Sequence, residues 1–135
     1  MRIVIISAPP QRKQPPDYVL ALAKGMESMG HRVDIFDAWT GDGYRLAGYE
    51  YIAIAAQPKS AFSGKIPEVV STALCAGANL GGKKCAAFIR KGGLFTARAL
   101  SNLMKAMEKE GMKINWSDIL LNPSHAEAIG KRIGA

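Results

Sequence analysis

The sequence predicts one α/β domain, residues 1–135, built on a doubly wound five-stranded parallel sheet. Three observations predict it. Five strand-sized apolar runs punctuate the chain, and stretches with apolar residues at helical spacing separate most of them. The runs are nearly continuous in apolar residues rather than alternating, as in strands covered on both faces. Strand and helix patterns alternate, which implies parallel pairing and right-handed crossovers that put helices on both sides of the sheet. A chain of 135 residues is long enough to bury its own core. No internal repeat, linker or low-complexity tract divides it.

Each element has its own signal. Arg2–Ser7 is a β-branched run ended by Pro9-Pro10, so it reads as a buried first strand. Beyond a proline-rich loop, Val19, Leu22, Ala23 and Met26 recur at helical spacing until Gly30, a residue suited to a helix stop. Val33, Ile35 and Phe36 mark a second strand in His31–Asp37, and Ala38–Gly48 leaves room for only a short helical turn. Tyr49–Ala56 is the third strand. A loop runs through Gly64 to Pro67, at a first helical position, and Val70, Ala73, Leu74 and Gly77 carry the helical period towards Gly81-Gly82. Cys85–Ile89 is the fourth strand. After Gly92-Gly93, Leu100, Leu103, Met104 and Met107 share a helix face that ends at Gly111, and Lys113–Leu121 is the fifth strand. Ser124 and Glu127 have the spacing of a capping box for a last short helix, with Ala126, Ile129 and Ile133 facing inward.

Composition narrows the function. Hydrophobic residues are 48% and charged residues 21% of the chain, a globular balance that argues against disorder. The apolar stretches are too short to cross a bilayer, and Met1–Ser7 lacks the length and cleavage site of a signal peptide. Cys75 and Cys85 have no CxxC or zinc-like spacing and sit in apolar segments, so both are expected as buried, reduced thiols in a cytoplasmic protein. The net charge of +7 favours anionic partners. Aromatic residues at 7% and the lack of a recognised motif count against nucleic acid. There is no GxSxG, HExxH, P-loop or GxGxxG. His31 and His125 belong to opposite edges of the sheet, so neither a catalytic pair nor a metal site is expected.

Several segments carry a family resemblance. The string Tyr49-Glu-Tyr-Ile-Ala-Ile-Ala-Ala, the loop Phe62-Ser63-Gly64-Lys65-Ile66-Pro67 and the run Gly82-Lys83-Lys84-Cys85-Ala86-Ala87-Phe88 fall in register with flavodoxin-like proteins. The Lys91-Gly92-Gly93 turn and the Leu100 to Gly111 helix add to the match, which spans Arg2 to about Leu121. The sequence thus resembles the flavodoxin-like family. That resemblance implies strand order 2-1-3-4-5, an FMN cofactor, and a role in electron transfer or as a small flavin-dependent reductase (an oxidoreductase, often a homodimer). One segment departs from the family. Flavodoxins carry a Thr/Ser-rich loop after the first strand whose amides and hydroxyls cradle the FMN phosphate. Here that place reads Ser7-Ala8-Pro9-Pro10-Gln11-Arg12-Lys13-Gln14-Pro15-Pro16-Asp17. Four prolines remove four amide donors, there is no glycine, and only Ser7 supplies a hydroxyl.

The ligand site of such a sheet lies beyond the C-terminal strand ends where strand order reverses, between the first and third strands. Three loops should converge there, residues 7–17, 57–66 and 90–95. They hold Arg12, Lys13, Lys59, Lys65, Arg90 and Lys91 against Asp17 as their only acid. For a bound flavin, Phe62 is the expected ring contact; Lys91, Gly92 and Gly93 meet the ring edge. Ser7, Arg12 and Lys13 meet the phosphate, and Gln57, Pro58 and Gly64 complete the wall. Phe62 could equally tuck against the neighbouring helix. Trp39 and Tyr44 could wall the cleft or cap the core, Asp37 reads as a loop carboxylate, and Trp116 as packing. The alternative function is a cofactor-less binding or regulatory module with a basic, anion-attracting rim, serving a small anion or an acidic protein partner. The proline-filled first loop favours that alternative.

Overall fold

The five apolar runs form one parallel sheet in the order β2-β1-β3-β4-β5. The computed structural model describes residues 1–8, 16–39, 46–58, 69–70 and 81–133. Its strands are β1 (Arg2–Ala8), β2 (Arg32–Asp37), β3 (Tyr51–Ala56), β4 (Lys84–Arg90) and β5 (Lys113–Leu120). Its helices are α1 (Asp17–Ser28), α2 (Thr96–Lys109) and α3 (Pro123–Gly130), with a 3-10 turn at Leu46–Gly48. The helix expected from Pro67 through Gly77 falls mostly outside the described residues, of which Val69 and Val70 are helical. Among the described residues no helix is long and apolar enough to cross a membrane.

Alternation along the strands divides the core in two. Val4, Ile6, Ile52, Ile54, Ala87 and Ile89 face the side covered by Ala99, Leu103 and Met107 of α2. Ile3, Ile5, Tyr51, Ala53 and Phe88 face α1 and α3 through Leu22, Met26, Ala126 and Ile129. Every residue of β3 is buried, as expected of the central strand of a doubly wound sheet. Cys85 is buried among the α2-side residues as a free thiol, while Cys75 lies outside the described residues.

Two local expectations are corrected. β3 begins at Tyr51 rather than Tyr49. The Tyr49 amide closes the 3-10 turn on Leu46 O at 3.1 Å, and its hydroxyl donates to Asp34 Oδ2 at 2.7 Å, so that residue belongs to the connection. The last helix is not opened by a Ser124–Glu127 box. Asn122 is its N-cap, extended at φ −165° and accepting the His125 N–H at 2.8 Å, and Pro123 occupies the first helical position. Proline needs no N–H partner there and has its φ preset, so the helix starts before Ser124 can cap it. Glu127 instead reaches across to Lys24 of α1 at 3.5 Å. The β4–β5 register also slips after Cys85, which faces Ile114 while Ala86 faces Trp116. The skipped Asn115 accepts the hydroxyl of Tyr51, and Trp116 packs half-buried against the α1 side.

Candidate functional site

At the switch point, β1 and β3 run side by side to Ala8 and Ala56, and the Gln57 N–H closes on Ala8 O at 3.2 Å. Pro58 is buried behind it. Ser7 is buried at the end of β1, and its Oγ has no hydrogen-bond partner among the described residues. Arg12, Lys13, Phe62 and Gly64 lie outside the described residues, as do Tyr44, Lys59 and Lys65. Asp37 ends β2 and accepts the Trp39 N–H at 2.9 Å, the turn carboxylate expected of it.

The first turn of α1 is where an FMN phosphate would have to be received, because free amides at a helix start attract anions. Here most are already bonded. The Tyr18 N–H goes to Asp17 Oδ1 at 2.7 Å, and those of Val19 and Leu20 go to Pro16 O at 3.1 and 3.2 Å. Pro16 has no N–H, so at most the Asp17 amide is left, and a carboxylate already stands beside it. With four prolines across positions 9 to 16, these residues do not fit the amide cradle of an FMN phosphate.

Arg90 is a second departure. It was expected as a free rim cation, yet it is half-buried with its guanidinium 5.7 Å from the Tyr18 ring centroid. Stacking on the aromatic face lets Arg90 bury its stem over α1 instead of extending to the rim. The Tyr18 hydroxyl below it is buried without a partner among the described residues. Burial pushes its pKa well above the usual tyrosine range, partly opposed by Arg90. An unpartnered buried hydroxyl is a desolvation cost without a compensating bond. Tyr18→Phe is therefore expected to stabilise the fold by about 1 kcal/mol in urea denaturation. A loss of stability would show that the hydroxyl has a partner in the first loop.

Among the described residues, a cavity lies at the ends of β4 and β5. The turn from β4 into α2 is rigid: the Lys91 N–H bonds Leu120 O at 2.9 Å. Thr96 Oγ1 accepts the Gly92 N–H at 3.2 Å and donates to Gly92 O at 2.9 Å. Gly93 has φ +76°, a conformation that demands glycine. This geometry lifts Leu94 and Phe95 outward, 77% and 40% exposed. Across from them, His125 Nδ1 accepts the Leu121 N–H at 3.2 Å, and Leu121 is 54% exposed. Between turn and helix opens a cavity of about 420 Å³ lined by Lys91, Gly93, Leu94, Thr96, Ala97, Asp118, Ile119, Leu121 and His125.

Of the sequence-predicted residues, the structure brings Lys91 and Gly93 to this cavity, with Gly92 held behind them by Thr96. Ser7, Gln57 and Pro58 stand at the switch point on the other side of β4. Asp118, His125, Leu94 and Leu121 were not anticipated. The available signals were an apolar pair directly after a double glycine, and polar residues at the end of β5 and the start of α3. His31 sits at the opposite edge with Nδ1 3.1 Å from the N-terminal amine, so the two histidines are separated as expected. Among the described residues no group of three His, Cys, Asp or Glu could hold a metal ion.

Strand order, parallel pairing and helices on both faces of the sheet define a flavodoxin-like fold. Solved structures agree. The chain is similar to a flavodoxin from the domain Archaea, with 17% identity, TM-score 0.69, and 98% of this chain and 96% of that one covered. It is similar to oxidised Flavodoxin 1 from Bacillus cereus at 16% identity and TM-score 0.69, covering 96% and 95%. It is also similar to an NAD(P)H:quinone oxidoreductase from Methanothermobacter marburgensis at 12% identity and TM-score 0.67, covering 100% and 96%. No protein-family profile and no curated protein matches the chain.

Proposed function

We propose that this chain is a flavodoxin-fold binding module that works without an FMN gripped by its phosphate. It takes a small ligand in the cavity between the β4–α2 turn and the start of α3. The observation that carries this reading is the α1 N-terminus, whose amides are bonded to Asp17 and Pro16 where a phosphate would need them. Among the described residues, the cavity at the ends of β4 and β5 is lined in part by exposed apolar residues and lies beyond β4, away from that terminus.

A second reading, an FMN-binding electron carrier or small reductase, is favoured by one group in the site. Ser7 Oγ is buried and has no partner among the described residues, at the place where a phosphate loop would begin. The solved neighbours, flavodoxins and an NAD(P)H:quinone oxidoreductase, support the same reading. A flavin would bring the redox chemistry itself.

Titrating the purified protein with FMN, with riboflavin as control, separates the two by flavin fluorescence. The expected result is weak and similar binding of both, because the phosphate finds no cradle. Tight binding of FMN but not riboflavin, or a stoichiometric yellow cofactor on purification, would overturn the proposal in favour of the flavoprotein.

A further inference from the structure

We infer that the ligand of the β4–β5 cavity is a small organic anion with an apolar body, an inference that rests on the reading above that this cavity is the binding site. Its volume of about 420 Å³ suits one small molecule rather than a peptide or a dinucleotide. The class follows from what the lining can and cannot offer.

Its polar groups are mostly donors. Lys91 is exposed and carries an ammonium with donors only. His125 already accepts the Leu121 N–H on Nδ1, so the neutral ring offers a ligand its Nε2–H. The Thr96 hydroxyl, which could have accepted, is taken up by its own turn. Thr96 and Ala97 open α2, whose N-cap Phe95 gives no side-chain hydrogen bond and whose first turn holds no acid. The positive end of that helix therefore lies at the cavity with no acid in its own first turn to offset it. Against all this stands one acceptor, Asp118, half-buried, with Oδ1 taken by the Ile119 N–H at 2.8 Å.

The rest of the lining is apolar. Leu94, Ile119 and Leu121 supply its walls, and the two leucines are among the most exposed large apolar residues described. They gain from contact with a ligand body, while the donors select its charge. Asp118 opposes that charge, which makes it a group whose removal should tighten binding.

The test is an amide NMR titration of the whole chain at near-neutral pH and low salt. It uses phenyl phosphate, benzyl alcohol and benzylamine as probes of like size. Phenyl phosphate is expected to shift resonances of residues 91–97 and 118–125 and to bind about tenfold more tightly than the alcohol, as a charge-assisted contact should. Lys91→Ala should weaken it by about tenfold and Asp118→Asn should tighten it by about threefold. Lys105→Ala, on the exposed face of α2, should change nothing. If the alcohol or the amine binds as well as the phosphate, the anion class is overturned while the cavity stands. If none of the three moves these resonances, the cavity reading itself falls. Weaker binding by Asp118→Asn would overturn the electrostatic argument.

Discussion

Gly25→Ala and Gly130→Ala are each expected to destabilise the protein by about 3 kcal/mol, at the upper end for an overpacked contact. Gly25 of α1 and Gly130 of α3 face each other. A Cβ on Gly25 would meet the carbonyl of Glu127 well inside van der Waals contact and lie 3.1 Å from the Gly130 Cα. A Cβ on Gly130 would meet the carbonyl of Leu22 and come within 3.0 Å of the Met26 amide nitrogen. The clashing atoms are backbone, so no side chain can swing away. Helix propensity acts in the other direction, since alanine improves on glycine by about 1 kcal/mol in a helix. The contact term is larger and wins. Gly81→Ala, with nothing within 4 Å of the added atom, is the control and should be nearly neutral. Urea denaturation of the three variants checks this, and a neutral Gly25→Ala would mean that α3 can move off α1 freely. The effect should reach the site as well. His125 stands in the first turn of α3, so a displaced α3 shifts the cavity wall and weakens phenyl phosphate in the folded Gly25→Ala variant.

The fold was legible because the sheet is buried on both faces. Tyr51–Ala56 has no polar residue to interrupt it, and the helical faces of Val19 to Met26 and Leu103 to Met107 repeat at clean spacing. Strand order was not readable from periodicity. It came from the family resemblance, and the structure bears it out. Helix starts were misread where two signals overlapped. Ser124 and Glu127 have capping-box spacing, but Asn122-Pro123 just upstream is the stronger start, because an extended Asn followed by proline caps the His125 N–H and opens the helix two residues sooner. The site was half legible. Lys91 and Gly93 follow from the turn between β4 and α2. Asp118 and His125 depend on how far β5 runs alongside β4 and on where α3 begins, and a register slip at Cys85 and an Asn cap set those. Arg90 was read as rim charge because loop cations usually point to water. Nothing in the sequence places an aromatic ring of α1 under it.

The departure at the first loop has a physical consequence beyond the missing cradle. A helix start that is already bonded to its own carboxylate gains nothing from a phosphate, and would have to lose the Asp17 contact to accept one. Asp17→Asn is a mild probe of that competition, while the prolines hold whatever amide count remains. On the proposed reading, the α2 start, with neither acid nor side-chain cap, is the more favourable of the two helix starts for an anion.

Alkaline pH is expected to remove a large part of the fold's stability, with Cys85 as the first group to act. Cys85 is fully buried in the core cluster that also holds Ile54, Leu103 and Met107. Burial, with a smaller contribution from the Glu108 carboxylate, raises its thiol pKa to about 12. The folded protein thus holds this proton more tightly than the unfolded chain, where the thiol titrates near the ordinary cysteine value of 9.0. Stability from this group is fully present below the unfolded value and is lost progressively as pH rises towards the folded one. The full effect is on the order of 4 kcal/mol, and about 2 kcal/mol of it should be gone by pH 10.5. Tyr18 and Tyr51, both raised chiefly by burial, act in the same direction at higher pH. Urea denaturation near pH 8 and at about pH 10.5 measures the loss. In a Cys75→Ala background, Cys85→Ala should start less stable, because a small cavity is left, but lose less between the two pH values. A variant that loses as much stability as its parent would show that the thiol is not the titrating group. Within the parent, thiol labelling should follow unfolding rather than pH alone, since only an opened core exposes the thiolate.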